Sequence, residues 1–124
     1  MKKVISTNEA PQAIGPYSQA IEANGFIFVS GQIPINPTTG TMPDGIEEQT
    51  QQVLKNIGAI LKAANLDYNN VVKSTVLLKN IGDFTTMNNI YAQYFKQDCP
   101  ARAAFEVSNL PKDALIEIEV IAAR

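Results

Sequence analysis

Hydrophobic positions along this chain follow two periods. Near the C-terminus, Ile116, Ile118, Val120 and Ala122 alternate with Glu117, Glu119, Ile121 and Ala123. That period of two predicts a strand with one wholly apolar face and, with Leu115, one mixed face. The same alternation in 102–107 places Arg102, Ala104 and Glu106 on one side and Ala103, Phe105 and Val107 on the other. Val71 to Lys79 is rich in β-branched residues and predicts another strand, expected to be central. Elsewhere the period is helical. Ile46, Gln49, Val53, Ile57, Ile60, Leu61 and Ala64 form one stripe, closed by Asn65-Leu66-Asp67. Asp44 followed by Glu47 has the spacing of a capping box at its start. A second helix is expected from Phe84 to about Lys96, with Asp83 as its N-cap after the turn Asn80-Ile81-Gly82-Asp83. Its stripe is Phe84, Met87, Tyr91, Tyr94 and Phe95, and Asn88 lies near the Phe84/Tyr91 edge.

The N-terminal part is punctuated by turns. Lys3 to Thr7 reads as a short strand, and Ala10 to Pro16, with two prolines and a glycine, as an ordered loop. Tyr17–Ala23 and Phe26–Gly31 flank Asn24-Gly25, a strong hairpin signal because a type I′ turn needs positive φ twice. Gly31, in Ser30-Gly31-Gln32, has two readings: a bulge or strand end, or a place where backbone or ligand comes close. Pro34 to Gly45 is a long loop, and Asn109 to Asp113 a turn. The order is βββαβαββ, in which strand, helix and strand suggest a right-handed parallel crossover. The expected fold is α+β: a mixed six-stranded sheet with two helices packed on one face. The other face is half apolar, so a closed homo-oligomer with sites shared between subunits is expected.

Composition narrows the chemistry. The chain has 124 residues, 45% of them hydrophobic, enough for one domain, 1–124, with a real core. Its net charge is −2 and its lysines are scattered, so nucleic acid is not expected as a primary partner. Histidine is absent, which removes His-based acid–base catalysis and most zinc and iron sites. The single cysteine, Cys99, has no flanking base and reads as structural or incidental in a reducing compartment. No apolar leader and no membrane-length stretch occur, so a soluble cytoplasmic protein is expected. Arg102 is the only arginine besides Arg124 and stands among alanines, which leave room for a ligand. Its planar fork suits a carboxylate. If Arg102 and Glu117 share a side of the sheet, a cation for an anion and a carboxylate for water lie together. A surface salt bridge is the plainer reading of the same pair.

Ala13-Ile14-Gly15-Pro16-Tyr17-Ser18-Gln19, Ser30-Gly31-Gln32-Ile33-Pro34, Pro100-Ala101-Arg102 and the run from Leu110 to Glu119 together resemble the reactive-intermediate deaminase (Rid) family, RidA branch. The resemblance spans essentially the whole chain. It implies a chorismate-mutase-like fold, a homotrimer with clefts between subunits, and no cofactor. The implied activity is hydrolysis of reactive 2-imino acids (2-iminobutanoate, 2-iminopropanoate) to 2-keto acids and ammonia. It also implies roles: Arg102 for the substrate carboxylate, Glu117 for the attacking water, and Tyr17, Ser30, Gly31, Phe84, Asn88 and Ala104 for the pocket. Ala104 stands where many relatives carry cysteine. An alternative is a trimer that binds a small carboxylate and regulates a partner protein or translation.

Overall fold

Asn24 and Gly25 both take positive φ (53° and 79°), the backbone of a type I′ turn, and they join β2 (Ala20–Ala23) to β3 (Phe26–Gln32). This hairpin is part of a six-stranded sheet in a computed structural model that describes residues 1–124. The chain order is β1 (Lys3–Ile5), β2, β3, α1 (Ile46–Ala63), β4 (Val71–Leu78), α2 (Phe84–Tyr91), β5 (Ala101–Glu106) and β6 (Ile116–Ala123). The expected element order holds throughout.

Strand order does not follow chain order. The sheet runs β1-β2-β3-β6-β4-β5, with every pair antiparallel except β4 and β5. β3 and β4 are therefore parallel, as the strand–helix–strand pattern suggested, but β6 lies between them. β4 is interior, one place from the edge, while β3 and β6 hold the middle. β5 is an edge strand. A register shift between Val29 and Gln32 marks a bulge at Ser30-Gly31.

Both helices cover one face. Val53, Leu54, Ile57, Ile60 and Leu61 of α1 are fully buried against Ile27, Val76, Ile116 and Ile118 of the sheet. Each such side chain contributes roughly 1.5–3 kcal/mol on leaving water. Polar staples complete the layer. Asn56 donates to the carbonyls of Ile33 and Ile35, and Gln49 ties Pro43 to the N–H of Leu115, so the long loop 34–45 is moored to α1.

The helix starts differ from expectation. Asp44 and Glu47 form no capping box; Gly45 is the N-cap at φ 85°, ψ 153°, and no side chain caps it. That backbone region is open essentially to glycine alone, which moves Asp44 out of capping position. Asp83 likewise makes no cap bond, because it ends a 3₁₀ turn (Ile81–Asp83) that runs straight into α2. α2 stops at Tyr91, short of Lys96, although Tyr91 and Phe95 are buried as the stripe required. The C-terminal end of α1 is a Schellman motif. Asn65, at φ 61°, donates to Lys62, and Leu66 donates to Leu61.

Candidate active site

Arg102 stands in register with Ser74 on β4 and, through it, with Val120 on β6, both buried under the helices. Its side chain therefore turns toward α2. The guanidinium carbon lies 4.8 Å from the Tyr91 ring centre and 5.4 Å from that of Phe84, and Nη1 donates to Asn88 Oδ1 at 2.7 Å. Phe84, Asn88 and Tyr91 fall at i, i+4 and i+7, so one face of α2 presents all three. Tyr91 is itself fixed by a hydrogen bond shared with Ser74. Burial pushes its phenol up, against the opposing pull of the Ser74 bond and the Arg102 charge. The ion pairs of the fold are Lys79–Asp113 and Arg124–Glu22, so no carboxylate engages Arg102. The cleft beside it, about 430 Å³, is bounded by Asn88, Tyr91, Phe95, Cys99, Pro100 and Arg102. Ala104 follows two residues on, on the same face.

Glu117 lies on the other face. It pairs with Leu77, and Leu77 with Phe105, all on the side that no helix covers. Its carboxylate rests on Gly31, where a Cβ would stand 2.0 Å from Oε2. The bulge reading of Gly31 holds, and what comes close to it within the chain is the Glu117 side chain rather than backbone. Burial, and then the charge of Glu119, raises the Glu117 carboxyl above its ordinary value. Tyr17 reaches this neighbourhood on an irregular loop, and with Gly31 it lines a cavity of about 290 Å³ that extends to Ile33, Ile35 and Lys112. Ser30 donates its hydroxyl to the Ser18 carbonyl, holding that loop against β3.

The eight residues singled out in the sequence thus form two groups. Phe84, Asn88, Arg102 and Ala104 sit by the β5 edge on the helix side, while Tyr17, Ser30, Gly31 and Glu117 gather on or beside the open face. Arg102 and Glu117 do not share a side of the sheet, contrary to expectation, and they form no salt bridge. The reason is topological: β4 separates β5 from β6, and Glu117 has the opposite parity to Val120, the residue aligned with Arg102. Tyr91 was read only as core, though its place one turn beyond Asn88 was the signal that it flanks the arginine. Gln19 and Lys112, around the Tyr17 cavity, carried no signal of their own.

A family model described as endoribonuclease L-PSP matches residues 7–124. The chain belongs to this family. Its place there is the Rid family, RidA branch, of the motif resemblance. It is 54% identical over 123 residues to human 2-iminobutanoate/2-iminopropanoate deaminase, covering 98% of this chain and 90% of that one. It is 59% identical to a RutC family protein from Pyrococcus horikoshii, with 98% of each chain covered. Among solved structures, a Rid family protein from Yersinia pestis superposes with TM-score 0.98 at 55% identity over both whole chains. E. coli TdcF, crystallised with bound serine, superposes at 0.95 with 42% identity over 98% of each. Rid structures share this mixed sheet and helix pair.

Proposed function

We propose that this Rid protein hydrolyses 2-imino acids such as 2-iminobutanoate and 2-iminopropanoate to 2-keto acids and ammonia. The observation that carries this reading is Arg102: a guanidinium free of any carboxylate, held beside a cleft by Asn88 and two aromatic rings. Such a group grips a small carboxylate, and human and mouse relatives at 54% and 53% identity are 2-iminobutanoate/2-iminopropanoate deaminases. A protonated imine is already electrophilic, so catalysis needs an anchored substrate and a placed water. Arg102 anchors the carboxylate, a charge-assisted contact worth about 1.5–3 kcal/mol. Glu117 orients water and takes its proton, a role suited to a carboxyl whose basicity is raised by burial.

Because Arg102 and Glu117 lie on opposite faces, one chain does not bring them together, and the site forms between copies. The β5 edge of one protomer, with Arg102 and the adjoining Asn88 and Phe84 of α2, docks against the open face of the next, with its Glu117, Gly31, Ser30 and Tyr17. Phe28 and Phe105, 45% and 48% exposed on that face, give it the apolar surface that such docking needs. A closed ring of three, a homotrimer, repeats the contact with no end left open. The family's endoribonuclease name offers a second reading, but a net charge of −2 and the lack of histidine favour a small anion over RNA.

The test is a coupled assay. Threonine dehydratase generates 2-iminobutanoate in semicarbazide buffer, and semicarbazone formation is followed. The wild type should divert the imine to keto acid, and Arg102→Ala should do so at least about tenfold more slowly. If neither diverts it, the deaminase reading fails, and small-carboxylate sensing takes its place.

A further inference from the structure

Tyr17 sits at the end of a segment, Thr7 to Ser18, that belongs to no helix or strand. Its own backbone supplies little to hold it. The one main-chain bond inside it joins the Tyr17 N–H to the Gly15 carbonyl at 2.9 Å, an i to i+2 contact across Pro16. Gly15 takes φ 128°, which a side chain would strain. Yet the segment begins and ends close together, in the manner of an Ω-loop, and it carries Pro11, Gln12, Ile14 and Tyr17 to the wall of the 290 Å³ cavity. Ile14 and Tyr17 are 84% and 52% exposed, so packing at the tip does not fix it either.

Side chains hold the segment instead: Ser30 bonds the Ser18 carbonyl at one end, Gln12 Nε2 donates to the Thr7 carbonyl at 3.0 Å, and one buried amide makes most of the closure. Gln19, only 3% exposed, accepts the Thr7 N–H on Oε1 at 2.7 Å. Its Nε2 faces three carbonyls: Thr7 at 3.0 Å, Pro11 at 2.8 Å and Ala10 at 3.3 Å. That pattern fixes which end of the amide is which, since only nitrogen can face carbonyls. The backbone of Gln19 belongs to the sheet side, where its carbonyl accepts the Ser30 N–H at 2.9 Å. The buried carboxamide thus joins the start of the loop to the bulge that holds Ser30 and Gly31. A carboxylate of the same shape keeps the acceptor and loses both donor hydrogens.

We infer that Gln19 is a positioning residue: its carboxamide clasps the neck of the Thr7–Ser18 loop and thereby sets where Tyr17 stands beside Gly31. The inference rests on the reading of Tyr17 and Gly31 as part of the deaminase site. It acts through Tyr17 and touches no substrate.

The test pairs Gln19→Glu with Tyr17→Ala and measures two things. Amide hydrogen exchange is read first, without substrate. In Gln19→Glu the hydrogen-bonded amides of the segment, Thr7 and Tyr17, should exchange at least about tenfold faster, with those of α1 unchanged, which shows the fold intact. The rate of 2-iminobutanoate hydrolysis is read second. Gln19→Glu should lower kcat/KM by about ten- to a hundredfold, and the double variant should fall no further than Tyr17→Ala alone, because both losses run through one residue. Unaltered exchange at Tyr17, or losses that simply add, overturns the clasp. A wild type that hydrolyses no imine overturns the deaminase reading instead, and the exchange arm still decides whether Gln19 fixes the loop.

Discussion

Arg102 uses one of its five N–H donors on Asn88, and its guanidinium lies over the Phe84 and Tyr91 rings, so other donors of the fork are left for a ligand. Arg102→Ala should lower kcat/KM for 2-iminobutanoate by roughly ten- to 150-fold, the kinetic equivalent of about 1.5–3 kcal/mol. Glu117→Gln should spare 2-ketobutanoate binding, followed by calorimetry, while kcat falls by about 10²–10⁴. The pH profile separates these roles. Glu117 must be ionised to take a proton, and its carboxyl lies above the ordinary value, so the acid limb of kcat should sit above roughly pH 4.3 and vanish in Glu117→Gln. Glu119→Gln removes a like charge, favours the ionised form of Glu117 and should move that limb to lower pH. Stability follows the same sign. Folding raises this pKa, so the folded chain binds the extra proton; that advantage is full below the unfolded pKa and is lost as pH rises through the folded one. Glu117→Gln should therefore raise Tm at pH 7 relative to wild type, with the gap closing toward pH 4.

At the scale of elements, Gly31 and Gly45 answer to different constraints. A Cβ on Gly31 meets only the mobile end of Glu117, so Gly31→Ala should cost under about 1 kcal/mol on urea unfolding yet displace the carboxylate and match Glu117→Gln in lost turnover. Gly45→Ala meets no atom but forces a backbone region almost closed to alanine, and should cost about 1–3 kcal/mol. Asp44→Ala, at a residue that caps nothing, should change stability by less than about 0.5 kcal/mol. The contrast shows what a sequence exposes. The Asn24-Gly25 hairpin was legible because its turn depends on two adjacent residues, and the stripes of α1 and α2 because burial repeats with the helix. The capping box was misread because Gly45, one position inside Asp44, has a backbone option that no spacing rule records. The insertion of β6 between β3 and β4 was not legible either, since strand order depends on which faces find each other across the chain. The expected common side for Arg102 and Glu117 failed for a related reason: β4 lies between β5 and β6, and its register sets Arg102 in line with Val120 rather than with a residue of Glu117's parity. The faces themselves, read from alternation, were right.

For the whole molecule, the proposed site, with its two halves on opposite faces, requires assembly for activity. Light scattering should give about 40 kDa, three times the 13.5 kDa chain, at micromolar concentration. Phe28→Asp, which sets a charge in the centre of the apolar open face, should yield a folded, smaller species without activity. The most direct measurement co-expresses Arg102→Ala and Glu117→Gln chains in equal amounts and assays the mixed assembly. A site built from Arg102 of one protomer and Glu117 of its neighbour is intact wherever the first is the Glu117→Gln chain and the second the Arg102→Ala chain. Random mixing makes that one site in four, so roughly a quarter of wild-type activity should return. Activity no higher than that of either variant alone would contradict the shared site.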